Sequence, residues 1–330
     1  MKMRAFLGAA FVALCFLGQT GCTEPAKQEI TESAHADLDK LPEEANMFFF
    51  CDFEKINESE IGQVLVRDMR TNIDRDIRHS DFESFKEATG LDPFEDFKTI
   101  LVAGKIKESR RNDDFAVILH GNFDEEKIMG FAREKLEEER RDIPWTTEEL
   151  SGNTIYTIEK RDEVSFCFVN GSTVYLGSPD WVRAALENEG RGSSGSRESV
   201  TDALKNHIKY GDQFWMTVDA AAIDRQPMGR SLRENVPAAE RIKSLYFSAQ
   251  TSDRIDFAGK ILCDDSQSSQ LLVDMMRGAL ATAKLSVSKE RSIVDELNNI
   301  EIFQDGSNAV LKGKITQELI KKIEDHRGIL

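Results

Sequence analysis

The sequence predicts an α+β fold built from two duplicated units, each an antiparallel sheet with helices packed on one face. Three observations predict it. Short apolar strands alternate with charged helical stretches, Gly, Asn and Pro residues punctuate them, and the same order of elements returns after a Gly/Ser-rich break.

The ordered part opens at Met47-Phe48-Phe49-Phe50-Cys51, an apolar run of strand length. Ile61, Val64, Leu65, Met69 and Ile73 then recur near helical spacing and predict a helix over 58–78. Phe82 and Phe85 share one face of a shorter helix over 81–88, which Thr89-Gly90-Leu91-Asp92-Pro93 ends, with Gly90 as the residue just past the helix. Residues 98–106 and 114–120 read as paired strands around a charged turn. Asp124 caps a helix over 124–140 that turns Ile128, Phe131 and Leu136 inward. Strands follow at 153–159, 164–169 and 173–177, with Asn170-Gly171 as the turn between the last two. Pro179-Asp180 starts a helix over 179–188.

Residues 189–199 contain Gly190, Gly192, Ser193, Ser194, Gly195 and Ser196, and read as a linker. The chain therefore divides into a leader at 1–21, a flexible tether at 22–44, a first unit at 45–188, the linker at 189–199 and a second unit at 200–330. The second unit echoes the first in order. Asp52 after an apolar strand matches Asp219, and Asp114-Phe115-Ala116 matches Asp256-Phe257-Ala258. Each of these leads into a long helix, 124–140 in one half and about 267–286 in the other. Asn170-Gly171-Ser172 then matches Asp305-Gly306-Ser307, and each hairpin feeds a closing helix, 179–188 and 316–326.

The start of the chain carries an address. Lys2 and Arg4 precede an apolar run over 5–17, too short to span a bilayer as a helix. Gly18, Gln19, Thr20 and Gly21 lead to Cys22. This resembles the signal peptide and lipobox of bacterial lipoproteins, although Gln19 stands where that family prefers an aliphatic residue. The resemblance implies cleavage before Cys22, lipidation of Cys22 with palmitate-type chains, and attachment to a membrane of the cell envelope, facing the periplasm or the surface. Several acyl chains make a stable anchor where one is marginal. A second, shorter resemblance rests on Leu41-Pro42-Glu43-Glu44-Ala45 before the first strand and on Phe85, Thr89-Gly90-Leu91-Asp92-Pro93 and Asp96-Phe97. These residues resemble a stretch of exported bacterial proteins of unknown function; they speak of turns and caps and imply no chemistry.

Removing the leader removes two cations and no acid, so a formal net charge of −16 becomes −16 − 2 = −18. That balance argues against nucleic acid or anionic lipid as a partner, since both need basic patches. Cys51, Cys167 and Cys263 remain after Cys22, far apart and each in an apolar run. Their odd number and wide spacing read as buried thiols, with a Cys51–Cys167 or Cys167–Cys263 bridge open to an oxidising compartment.

Catalytic signals are absent from the sequence. No HExxH, GxSxG, GxGxxG or GxxxxGK[ST] pattern occurs, so no metal, cofactor or catalytic residue is assigned. Of five histidines only His120, at a strand end beside Gly121-Asn122, is placed to face a site. Asp264-Asp265 and Asp124-Glu125-Glu126 read as helix caps. The apolar helix over 269–285 offers Leu272, Met275, Met276 and Leu280 as a candidate apolar interface, against the plainer reading of a buried helix. The sequence thus predicts a membrane-anchored envelope protein that binds or scaffolds another envelope protein without catalysis. A carrier holding an apolar ligand in a cleft between the units is the alternative, and an envelope hydrolase the third.

Overall fold

The computed structural model describes residues 29–76, 79–105, 114–138, 145–158, 163–189, 198–219 and 240–320. The leader, Cys22, the Gly/Ser run at 190–197 and the closing helix beyond 320 lie outside these residues. Strands β1 (Met47–Asp52), β2 (Phe97–Lys105), β3 (Asp114–Gly121), β4 (Trp145–Leu150), β5 (Asn153–Ile158), β6 (Val164–Asn170) and β7 (Thr173–Gly177) come from the first half. Strands β8 (Phe214–Asp219), β9 (Ile242–Thr251), β10 (Arg254–Cys263), β11 (Glu301–Asp305) and β12 (Asn308–Thr316) come from the second.

All twelve join one antiparallel sheet in the order β11-β12-β10-β9-β8-β1-β2-β3-β7-β6-β5-β4. The two halves meet where β1 pairs with β8, Phe50 opposite Trp215 and Phe48 opposite Thr217. Outward from that seam the first half runs β1-β2-β3-β7-β6-β5-β4 and the second β8-β9-β10-β12-β11.

Helices α1 (Glu32–Lys40), α2 (Phe53–Glu58), α3 (Glu60–Asp76), α4 (His79–Thr89), α5 (Pro93–Asp96), α6 (Glu125–Glu138), α7 (Pro179–Asn188), α8 (Glu198–His207), α9 (Ser266–Ser286) and α10 (Arg291–Leu297) complete the fold. Their starts follow local chemistry. Thr31 caps α1 by accepting from the Ala34 N–H, Asp52 caps α2 through the Lys55 N–H, and Asp265 caps α9 through the Ser268 N–H. Pro179 occupies the first turn of α7, where no backbone donor is needed.

Alternation along the strands separates two faces. The front face carries Phe48, Phe50, Leu101, Ile118, Cys167, Tyr175 and Trp215, all buried, beneath α1, α7 and α8. The back face of the second half carries Phe247, Phe257, Ile302 and Ala309 beneath α9 and α10. Helices therefore cover both sides of the sheet; within the first half α7 packs on the front while α6 reaches the back at Tyr156, so the expectation of helices on one face of each unit does not hold. The cause is that the strands carry apolar residues on both sides, so one layer of helices does not suffice.

The tether expectation also changes. Residues 29–44 are not free chain: Ile30, Ala34, Leu38 and Leu41 recur every three or four residues and are buried against the front face. One strand, β4, is not expected from the sequence. It is an edge strand whose Thr146, Thr147, Glu148 and Glu149 are exposed, so it lacks the apolar alternation that marks a strand. A Ser151-Gly152 turn with both φ positive, 53° and 80°, joins it to β5. Among the described residues no helix is long and apolar enough to cross a membrane.

Candidate functional site

The back face of the first half carries a continuous array of apolar side chains that no helix fully buries. Cross-strand pairing places Phe49, Val102, Val117, Leu176 and Phe166 in one row from β1 through β2, β3 and β7 to β6. Ile100, Leu119, Val174 and Phe168 form the row beside it. None of these nine is buried; eight are half-buried, and Leu176 is 37% exposed. Their front-face neighbours Leu101, Ile118 and Tyr175 are no more than 1% exposed. On the same side of the second half, α9 and α10 hold Phe257 and Ala309 at 2% and 1%. The nine side chains thus make a broad apolar surface in which none is fully covered, whereas the counterpart face has four buried residues, Phe247, Phe257, Ile302 and Ala309, among its half-buried ones. At its margin α6 reaches the sheet where the Tyr156 hydroxyl donates to Glu125 Oε1 at 2.8 Å, and Phe131 of α6 meets Phe85 of α4 edge-on at 5.4 Å.

On the front face Asp37, Lys40, His120, Thr173, Tyr175 and Glu189 form one connected polar cluster. His120 Nε2 lies 2.8 Å from Asp37 Oδ2 and its Nδ1 3.2 Å from Thr173 Oγ1. Lys40 Nζ bridges Asp37 at 3.2 Å and Glu189 at 3.1 Å, and the Tyr175 hydroxyl donates to the same Glu189 carboxylate. Burial, reinforced by Glu189, pushes the Tyr175 phenol well above its usual range. A hydroxyl, an imidazole and a carboxylate in line have the layout of an activated nucleophile. Here the hydroxyl belongs to Thr173, 7% exposed inside a strand, and Asp37 is shared with Lys40. The group clamps α1 onto β3 and β7.

The other residues marked in the sequence fall into structural places. Asp52 ends β1 and caps α2; burial pushes its carboxyl up, against the pull of the Lys55 N–H and ammonium. Asp219 ends β8 at the matching point and takes a hydrogen bond from the Ser244 side chain. Asp92, in the Thr-Gly-Leu-Asp-Pro turn, caps α5 and binds Lys86 at 2.7 Å and Arg70 at 3.1 Å. Burial opposes its ionisation, but Lys86, the Phe94 N–H and Arg70 together hold its carboxyl below the ordinary value. Asp124 caps α6 through the Lys127 N–H at 3.1 Å. Cys51, Cys167 and Cys263 are free, buried thiols, and burial pushes them up to about 12, 12 and 11. Among the described residues no group of three or more His, Cys, Asp or Glu is placed to hold a metal.

The candidate apolar interface on α9 divides. Leu272 is in the core at 1% exposure, Met276 and Leu280 pack against that core, and Met275 alone of the four is exposed. The face that reaches solvent is instead that of Leu271, Met275 and Leu285. A helix on a sheet turns one stripe inward, and here Leu272, Val273, Met276 and Leu280 compose it. A cavity of about 190 Å³ does lie at the seam of the two halves, lined by Ala45, Phe48, Leu204, Thr217, Asp219 and Tyr246. It borders α8 and not the 269–285 helix that the carrier reading required.

Fold and surface together define an α+β protein built on one wide antiparallel sheet, with an apolar face left partly open. No protein-family model matches the chain, and no curated protein matches it. Among solved structures the chain is similar to crystal form I of TP0453, at 10% identity and a TM-score of 0.42, over 87% of this chain and 95% of that one.

Proposed function

We propose that this is a lipid-anchored protein of a bacterial cell envelope that works by binding another envelope component, without catalysis. The anchor is Cys22, held by acyl chains and followed by a short tether to the body. The binding surface is the back face of β1, β2, β3, β7 and β6. One observation carries this: nine apolar side chains on that face are left half-buried or exposed, while on its counterpart α9 and α10 bury Phe247, Phe257, Ile302 and Ala309 and leave Ile261 and Leu311 half-buried. A surface of this kind, larger than the scattered apolar residues of an ordinary exterior, marks an interaction site.

The body is read as a duplication. The strand order outward from the β1–β8 seam coincides for five strands on each side, β1-β2-β3-β7-β6 against β8-β9-β10-β12-β11. The motif pairs follow it. Asp52 and Asp219 end β1 and β8, Phe115 and Phe257 both face back in β3 and β10, and Asn170-Gly171 and Asp305-Gly306 turn the β6–β7 and β11–β12 hairpins. On this reading the first copy has exchanged the tight cover of its back face for an open one.

The carrier alternative draws on the seam cavity. Its volume is close to the roughly 150 Å³ that accommodates a benzene-sized guest, so it suits a small ligand and not an acyl chain.

Two experiments test the proposal. Radiolabelled palmitate enters the chain and fails to enter Cys22→Ala; equal labelling of both ends the anchor. A photo-crosslinking residue at position 176, on the open face, gives a discrete adduct in the intact envelope. The same residue at the exposed Asp253 position does not. Identical products from both positions, or none from 176, would remove the binding face.

A further inference from the structure

Four large apolar side chains among the described residues stand exposed: Leu176, Leu271, Met275 and Leu285. All four lie on the back side of the sheet. Leu176 belongs to the open face, and the other three to α9, which packs on that side. On α9 the exposed positions Leu271, Met275, Gly278, Thr282 and Leu285 fall at intervals of four, three, four and three residues, a single stripe. Leu272, Val273, Met276 and Leu280 take the inward side. The stripe is open along its length: a Cβ added at Gly278 would meet nothing within 4 Å. Leu285, at its end, is 73% exposed, the most of any large apolar residue described.

The charge around this end runs against that of the whole protein. Residues 284–292, ahead of the acids Asp295 and Glu296 of α10, carry Lys284, Lys289 and Arg291 against Glu290, a balance of +2 in a chain of −16. An exposed leucine with long basic side chains close by in sequence fits the boundary of an anionic bilayer, where the apolar group enters the acyl region and the ammonium and guanidinium heads stay among phosphates. A second copy of the same helix end is a poor fit, since it would set +2 against +2.

We infer that the C-terminal part of α9 is a second membrane contact, with Leu285 in the acyl region of an anionic leaflet and Lys284, Lys289 and Arg291 on its headgroups. This departs from the expectation that net charge sets for anionic lipid, since the overall balance does not describe the basic run at 284–292. The contact orients the back face toward the bilayer. It gains from the lipid on Cys22 where that reading holds: seven residues separate Cys22 from Ile30, the first core residue, a reach of at most about 28 Å. The body then never leaves the neighbourhood of the membrane.

The test removes the anchor. The full chain carrying Cys22→Ser is mixed with vesicles of phosphatidylcholine, alone or blended with phosphatidylglycerol, and floated. Each basic residue at an anionic surface contributes about a fivefold preference, so binding to the blended vesicles exceeds binding to the others by at least that factor and falls with added salt. Leu285→Glu and the pair Lys284→Glu with Lys289→Glu each reduce binding about tenfold; these side chains leave the core untouched. The apolar leader is common to every variant, so only differences between variants count. Equal binding to both vesicle types, or variants that float as well as the parent, overturns the inference. So does a dimer, seen by sedimentation, that Leu285→Glu dissociates while vesicle binding stays unchanged. A failed palmitate experiment leaves this one standing, and the reverse also holds.

Discussion

His120 Nε2 sits 2.8 Å from Asp37 Oδ2, and through that pair the last strand residues of β3 hold the first helix of the body. Asp37 keeps only 3% of its side chain exposed, with Lys40 as its second partner. His120→Ala removes one of two partners from a nearly buried carboxylate, which costs about 1–3 kcal/mol. Urea unfolding of the variant measures it. Hydrogen exchange across 32–40 locates it, because α1 loosens before the sheet. A variant with parent stability and parent exchange in α1 would show that Lys40 alone holds the helix.

The buried thiols give a pH dependence with a definite sign. Cys51 and Cys167 are pushed up to about 12 and Cys263 to about 11, each by burial, from an ordinary value of 9.0. Below pH 9 folded and unfolded chains both carry these protons. Above it the unfolded chain releases them while the folded chain does not. Stability is therefore fully present below about pH 9 and declines as pH rises toward about 11–12. Replacing the three by alanine flattens that alkaline decline, read from urea midpoints between about pH 8 and 11. Rapid alkylation of Cys51 or Cys167 in the folded protein at neutral pH would contradict the burial behind this sign.

Gly177 ends β7 where that strand touches β3. A Cβ there would lie 2.2 Å from the Phe115 carbonyl oxygen and 2.8 Å from Ala116 Cα. Backbone cannot yield as a side chain can, so Gly177→Ala separates the strands and costs about 1–3 kcal/mol or more. Gly130, on α6, has open space around its Cβ position. Gly130→Ala therefore stabilises, by about 0.5–1 kcal/mol. Paired thermal melts compare the two, and a shift of the same sign in both would refute the contrast.

Much of this architecture is legible in the sequence. Strands with apolar runs and helices with capping residues stand at their expected places, because each rests on a local cause. Asp52, Asp124 and Asp265 each cap the helix after them, and Pro179 starts α7. The hidden parts depend on contacts distant in sequence. Ile30, Ala34, Leu38 and Leu41 carry a helical period, but the acids between them give the stretch the composition of a tether, and only the front face supplies the cover that orders it. Of the four residues offered as an interface on α9, three turn toward the core and Met275 alone is exposed, since composition alone does not say which stripe meets the sheet. The open back face was unreadable for the same reason. Val117, Val174 and Phe166 look like core residues, and their incomplete burial is set by how helices distant in sequence come to rest on that side, not by their own residue types.

The seam between the halves is the place where the two units depend on each other. Phe50 and Trp215 face one another across β1 and β8, with ring centroids 5.5 Å apart and planes 18° from parallel, and both are no more than 1% exposed. Each belongs to a different half, so the contact joins residues far apart in sequence and is formed only when both halves are folded. Trp215→Ala opens a large void and costs about 3–5 kcal/mol, and Phe50→Ala costs a similar amount. In the double variant the second truncation meets a void already present. The combined loss is then smaller than the sum of the single losses by at least about 0.5 kcal/mol, the usual mark of residues in contact. The cycle is read from urea unfolding of the parent, the two single variants and the double. Strict additivity would mean that each ring supports its own half and that backbone pairing alone joins β1 to β8.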